Sequence, residues 1–85
     1  MERYMVISNH TEKGCTDALK AIEAAGFITH FDWGCKDGVH TGWAIVEADN
    51  AKEALMVVPS GERSQARVVR VVKIGPFDAD KAHQL

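Results

Sequence analysis

Two short segments carry the side chains of this sequence that could do chemistry. Residues 33–43 read WGCKDGVHTGW, which places Cys35 five positions before His40, and HTEKGC places His10 five positions before Cys15. Thiolate sulfur and imidazole nitrogen are the donors that zinc and similar transition-metal ions prefer, at about 2.0–2.3 Å from the ion. The spacings are not those of a zinc finger, so they indicate a metal site only if the fold brings both segments together.

Six periodic segments must position these residues. The sequence predicts strands over residues 3–9, 27–35, 39–48 and 66–74, with one helix between Thr11 and Gly26 and a second from Asp49 or Asn50 to about Val58. The pair Asp37-Gly38 favours a type I′ hairpin turn, in which both central residues need φ > 0. Gly26 fits the position just after a helix, and Asn50 with Glu53 has the spacing of a capping box.

The order β-α-β-β-α-β predicts an α+β fold of the ferredoxin-like type. Right-handed crossovers place strands one and three at the centre of a four-stranded antiparallel sheet, with two helices on one face. One edge of that sheet then holds His10, Cys15, Cys35 and His40, with Cys35 directly opposite His40 in the hairpin. These four residues are the predicted ligands of a zinc or other transition-metal ion. The start of the first helix is expected to lower the pKa of the Cys15 thiol.

The same four residues also have a purely structural interpretation. Cysteine is among the most buried residue types, and Cys15 continues the apolar helical stripe of Leu19 and Ile22. His10 and His40 would then satisfy backbone groups at the ends of loops. The sequence leaves a metal or thiol site and an ordinary core as open alternatives.

The second face of the predicted sheet is also apolar. Trp43, Ile45 and alternate valines of the last strand point to the side that the helices do not cover. Because a chain of this size tolerates such exposure poorly, we expect a homodimer packed through that face. His30 and Asp32 lie on the same side, either paired across the interface or as an acid–base pair in a cavity. His83, in the C-terminal tail, would contribute only if the tail crossed the dimer.

Composition limits the classes of function. A chain of 85 residues predicts a single domain, 1–85. The net charge of −2, with dispersed Lys and Arg, predicts no nucleic-acid partner. No apolar run approaches the roughly 20 residues that span a membrane, and the first residues lack the apolar centre of a signal peptide. We therefore expect no membrane partner and a cytoplasmic protein, in which cysteines are thiols or ligands.

Four segments carry a family resemblance: HTEKGC, FDWGCKDGVHTGWAIVEA, EALMVVP and ARVVRVVKI. They resemble a small bacterial family of unknown function within the dimeric α/β-barrel (ferredoxin-like) superfamily, over almost the whole chain, and the WGCxxGxHxGW hairpin is the most distinctive part. The resemblance implies the fold and a homodimer. It implies no activity, because the superfamily includes monooxygenases, isomerases, haem-handling proteins and binding modules.

Two classes of function follow from these observations. The first is a small homodimeric binding protein that holds a transition-metal ion or uses reactive thiols at the Cys/His cluster. The second is a cofactor-independent enzyme of the monooxygenase or isomerase kind, which acts on a small apolar molecule in a cavity between sheet and helices. Metal content separates the two, because only the first loses its ligand to a chelator.

Overall fold

Four strands form the sheet, and the two central ones carry apolar side chains on both faces. The computed structural model describes residues 1–80, so His83 lies outside the described residues. The strands are β1 (Glu2–Asn9), β2 (Asp32–Trp33), β3 (Thr41–Ala48) and β4 (Ala66–Val71). All pairings are antiparallel, and the order across the sheet is β2-β3-β1-β4. The fold is α+β, and the prediction that strands one and three lie side by side at the centre is confirmed.

The first helix, α1 (Cys15–Ala24), begins later than the cap at Thr11 predicts. The backbone N–H of Gly14 does donate to Thr11 Oγ1 (3.0 Å) and to the Thr11 carbonyl (3.1 Å), so Thr11 closes a separate turn. Glycine is a poor helix former, and regular α-helix starts only after Gly14. The other end agrees with the prediction: Gly26 follows the helix with a φ of 86°.

The second helix, α2 (Ala51–Ala54), is only four residues long and continues as a 3-10 turn over Leu55–Val57. Asn50 caps it as predicted, because its Oδ1 accepts a hydrogen bond of 2.8 Å from the Glu53 backbone N–H. The segment ends at Val58, before Pro59, which has no N–H to continue a helix.

A single core lies between the sheet and the two helices. The buried side chains come from one face of the strands and from both helical segments, and they are Tyr4, Val6, Ile22, Phe31, Ala44, Ala48, Ala54 and Val58. Ile22, Val6 and Val58 are fully enclosed. Because Ile22 belongs to α1 and Val58 follows α2, both segments pack on the same face of the sheet.

The opposite face of the sheet is mainly apolar and is uncovered in a single chain. Its apolar side chains are Met5, Ile7, Trp43, Ile45, Val69 and Val71, and the charged Arg3, Glu47 and Arg67 lie toward its two ends. Among the apolar side chains, Ile45 is 44% exposed and Val69 is 38% exposed, whereas the others are half-buried. We call this surface the open face.

The hairpin differs from its prediction. β2 pairs with β3 over two residues only, with Trp33 opposite Gly42, which is the predicted register. The type I′ turn is wrong, because of the two turn residues only Gly38 has a positive φ, of 78°. Instead, Cys35–Asp37 forms a 3-10 turn, and the Gly34 carbonyl accepts from Val39 N–H (3.0 Å). That closure is a Schellman-type ending, and it removes Cys35 from the strand ladder.

Candidate metal centre

Four chain segments that are distant in sequence end at one corner of the sheet. His10 directly follows β1, Cys15 opens α1, Cys35 opens the 3-10 turn after β2, and His40 directly precedes β3. One possible ligand atom from each of these four residues lies within 4.8 Å of the other three. The structure therefore brings together all four residues that the topology predicted to converge.

Backbone and side-chain hydrogen bonds fix the two histidine segments to each other. The backbone N–H of His10 donates to the carbonyl of His40 (3.1 Å), which extends the β1–β3 pairing by one step. Next to this bond, Thr41 Oγ1 donates to Asn9 Oδ1 (3.0 Å). The imidazole centroids of His10 and His40 are consequently 5.8 Å apart.

The two thiols are in direct contact. Cys15 Sγ donates to Cys35 Sγ at 3.3 Å, and Cys35 Sγ lies 3.6 Å from His10 Nε2. Both cysteines are free and half-buried. Cys35 therefore lies between the second thiol and an imidazole, although it is not the cross-strand neighbour of His40 that the hairpin prediction required.

The pKa of the Cys15 thiol is raised, and the expectation that the helix start lowers it is wrong. The main cause is the hydrogen bond to Cys35, with partial burial and the neighbouring Cys35 charge acting in the same direction. A hydrogen bond donated by the thiol stabilises its protonated form, and a nearby thiolate opposes a second negative charge. In the metal-free protein the Cys15 thiol therefore stays protonated to higher pH than an isolated cysteine thiol.

The pKa of His10 is lowered. Burial is the largest cause, repulsion from His40 adds to it, and the carboxylate of Glu62 opposes both. The neutral ring, which is the form that binds metals, is thus favoured. Glu62 lies in the 3-10 segment Ser60–Gln65, and no spacing in the sequence connects it with the cluster.

Unpartnered polar atoms collect at this corner. Among residues 1–80, the buried side-chain nitrogen and oxygen atoms without a hydrogen-bond partner are Ser8 Oγ, His10 Nδ1 and His40 Nδ1. Folded proteins rarely leave such atoms unpaired, because each loses its hydration without replacement. Two of the three belong to residues of the cluster, His10 and His40.

An aromatic wall closes one side of the cluster. The Trp33 ring lies 6.2 Å from the His10 ring, centroid to centroid, and 5.3 Å from the Phe31 ring. Trp33 Nε1–H donates to the Ile28 carbonyl (3.3 Å), which fixes the ring. The ring lies against Gly42, where a Cβ atom would approach Trp33 Cζ3 to 2.5 Å.

His30 and Asp32 lie away from the cluster. Together with open-face residues they line a shallow cavity of about 300 Å³, whose other walls are Met5, Trp43, Ala44 and Ile45. Both polar side chains are exposed. The cavity therefore opens on the side of the sheet opposite the core, not between sheet and helices as an enzyme of the second class would require.

Comparisons with known proteins do not assign a family. No protein-family model, no curated protein and no solved structure matches the chain. Within residues 1–80, none of the helices combines the length and the apolar character that crossing a membrane requires. The function must therefore be argued from the side chains themselves.

Proposed function

We propose that this protein binds one transition-metal ion per chain, with zinc as the first candidate, through His10, Cys15, Cys35 and His40. The observation that carries the proposal is the convergence of two sulfur and two nitrogen donors within 4.8 Å. In a tetrahedral site with bonds of 2.0–2.3 Å, neighbouring donors are about 3.3–3.8 Å apart. The Cys35–His10 distance of 3.6 Å matches a sulfur–nitrogen edge of such a tetrahedron. The Cys15–Cys35 distance of 3.3 Å is shorter than a sulfur–sulfur edge by about 0.4 Å, so the two thiolates would move apart slightly around an ion.

Charge and hydrogen bonding support the same conclusion. Two thiolates neutralise a divalent ion, and two neutral imidazoles complete the set without adding charge. The lowered pKa of His10 keeps that ring in its ligand form to lower pH than an ordinary histidine. The unpaired Nδ1 of the half-buried His40 ring is available to such an ion, whereas His10 would bind through Nε2, the nitrogen 3.6 Å from Cys35 Sγ.

A set of four protein ligands favours a structural metal ion over a catalytic one. Catalytic zinc keeps an open position for water or substrate, whereas Cys2His2 sets fill the tetrahedron. The ion would join the end of β1, the start of α1, the β2–β3 loop and the start of β3. For a chain of 85 residues with a small core, such a connection contributes directly to folding free energy.

Titration of Co²⁺ into metal-free protein prepared without an affinity tag tests this function. We expect tetrahedral cobalt–thiolate bands in the visible and near-ultraviolet range that saturate at one ion per chain. Affinity should fall as pH drops, because protons compete for the thiolates and imidazoles. Absence of the bands, or equal reactivity of both thiols with a thiol reagent with and without metal, would contradict the proposal.

We also propose that the protein is a cytoplasmic homodimer of the ferredoxin-like, dimeric α/β-barrel type, joined through the open face. The central pairing of β1 with β3 and the shared core of both helical segments support the fold type. The exposure of the apolar side chains of Ile45 and Val69 in the middle of the open face supports the interface.

Sedimentation tests the dimer. Ile45→Lys places a charge in the proposed interface and should shift a dimer toward the 9.3 kDa chain. Met56→Lys is the matched control, because Met56 is also exposed (60%) but lies in the 3-10 turn after α2. A wild-type chain that sediments as a monomer at micromolar concentration would contradict this assembly.

A cofactor-independent enzyme is the second candidate function, with its site in the cavity on the open face and not between sheet and helices. One observation favours it: the cavity on the open face places His30 and Asp32 beside the apolar side chains of Met5, Trp43 and Ile45. A histidine and a carboxylate at an apolar cavity are suitable groups for acid–base chemistry on a small molecule. Under this alternative, chelators leave the function unchanged.

A further inference from the structure

The two sulfur atoms of the cluster are close enough for covalent chemistry of their own. Cys15 Sγ and Cys35 Sγ are 3.3 Å apart, and a disulfide bond of 2.05 Å needs a closure of about 1.3 Å. Each cysteine opens its element immediately after a glycine, Gly14 or Gly34. Because both lie at the ends of segments and not inside a strand, a local adjustment suffices for closure.

A small oxidant can reach these sulfurs. Both cysteines are half-buried, neither is fully enclosed, and neither belongs to the buried core. Susceptibility of a thiol to oxidation follows its thiolate character and its exposure, and a nearby second thiol can resolve the first product. The pair meets the conditions of exposure and of a second thiol, whereas the raised pKa of Cys15 disfavours the thiolate form of that residue.

We propose that Cys15 and Cys35 form a reversible disulfide and that its formation expels the bound metal ion, so that the site couples metal occupancy to thiol oxidation. The expulsion rests on the proposed metal-binding function, whereas the disulfide itself does not. The partner in the reaction is a low-molecular-weight disulfide, written RSSR.

The exchange balances without any further reagent. One cysteine thiolate attacks a sulfur of RSSR, which forms a protein–SR mixed disulfide and releases one RS⁻. The second cysteine attacks the protein sulfur of that mixed disulfide, which forms the Cys15–Cys35 bond and releases the other RS⁻. The two cysteines lose two electrons and RSSR gains them. In the metal-free protein the two thiol protons pass to the two RSH products.

Formation of the disulfide also removes two of the four metal ligands. In the loaded protein both sulfurs enter as thiolates, so the two protons of the RSH products come from solvent. A disulfide sulfur carries no negative charge and is a poor ligand, which leaves only His10 and His40 for the ion. Two neutral imidazoles hold zinc far less tightly than the full set of four ligands, so one ion leaves for each disulfide formed.

Oxidised glutathione is the probe for this proposal. Tag-free protein, both zinc-loaded and metal-free, is treated with it under argon, and zinc in solution is followed with a chromogenic chelator. We expect one zinc released per chain, loss of both free thiols and a mass lower by two hydrogens. Dithiothreitol should restore both thiols and zinc binding. Cys15→Ser and Cys35→Ser should each stop at one mixed disulfide with glutathione.

The outcomes separate this proposal from the metal-binding proposal. If zinc binds but the mass and the thiol count do not change, the disulfide proposal is overturned and metal binding stands. If the disulfide forms in the wild type while zinc stays bound, the coupling is overturned. If the metal-free protein forms the disulfide but binds neither zinc nor cobalt, the coupling fails together with the proposed function. These readings come from the wild-type protein, so they do not depend on whether either serine variant folds.

Discussion

Replacement of Cys35 by serine should weaken zinc and cobalt binding by more than about a hundredfold, since even residues outside the ligand shell alter metal affinity by 10–100-fold. Serine has nearly the volume of cysteine but is a poor ligand for a borderline ion at neutral pH. Cys35 Sγ also lies close to two other possible donor atoms, Cys15 Sγ and His10 Nε2. The cobalt bands should therefore disappear in Cys35→Ser.

Stability and a matched histidine variant serve as controls for this experiment. In the metal-free state, Cys35→Ser should change the free energy of unfolding by about 1 kcal/mol or less, because the side chain is only half-buried. His40→Gln should also weaken metal binding, whereas His30→Gln should leave it unchanged because His30 is exposed and lies outside the cluster. Full cobalt binding by Cys35→Ser would show that the four side chains are only neighbours.

Replacement of Gly42 by alanine should destabilise the protein by about 1–3 kcal/mol, the usual cost of overpacking a well-filled site. Gly42 is buried in the middle of the sheet, and an added Cβ would lie 2.5 Å from Cζ3 and 2.7 Å from Cε3 of Trp33. The rigid indole cannot move away without breaking its hydrogen bond to Ile28 or its contact with Phe31. In a domain of this size, the melting temperature should fall by roughly 4–8 °C for each kcal/mol.

Gly61→Ala is the matched control for Gly42→Ala. No atom lies within 4 Å of a Cβ placed at Gly61, and its φ is not in the left-handed region. The control should therefore leave stability unchanged or raise it slightly, because alanine restricts the unfolded chain. Because the Trp33 ring also lies beside His10, Gly42→Ala should in addition weaken cobalt binding. An unchanged melting temperature would show that the indole does not occupy this position in solution.

The sequence predicted the large-scale arrangement because that arrangement depends on periodicity and chain direction. β-branched and aromatic residues in 3–9 and the turn signal Asp37-Gly38 before 39–48 identified β1 and β3, and antiparallel topology then brought His10 and His40 to one corner. Glycine and asparagine marked the end of α1 and the start of α2, because each residue has a specific backbone or capping role there.

Local geometry was harder to predict, because several hydrogen-bonding solutions compete over a few residues. Asp37-Gly38 suits both a type I′ turn and a Schellman-type ending. The hydrogen bonds from Val39 N–H to the Gly34 carbonyl and from Gly38 N–H to the Cys35 carbonyl select the second. The pKa of Cys15 depends on the orientation of one thiol toward another, which no spacing encodes. Glu62 acts on His10 only through the tertiary packing of Ser60–Gln65, a segment to which the sequence assigned neither helix nor strand.

The short length of β2 leaves one side of β3 without a partner strand. β3 pairs with β1 along all eight of its residues, but β2 covers only Gly42 and Trp43. Among residues 1–80, no strand pairs with that side of residues 44–48, so their backbone groups form an open edge to which a strand of another molecule can add. Glu47 lies within this stretch. Asp32, which pairs with Trp43, is a second negative charge beside its first residue. Charged side chains at an edge oppose the addition of a further strand, so these carboxylates are expected to protect the protein from edge-to-edge aggregation.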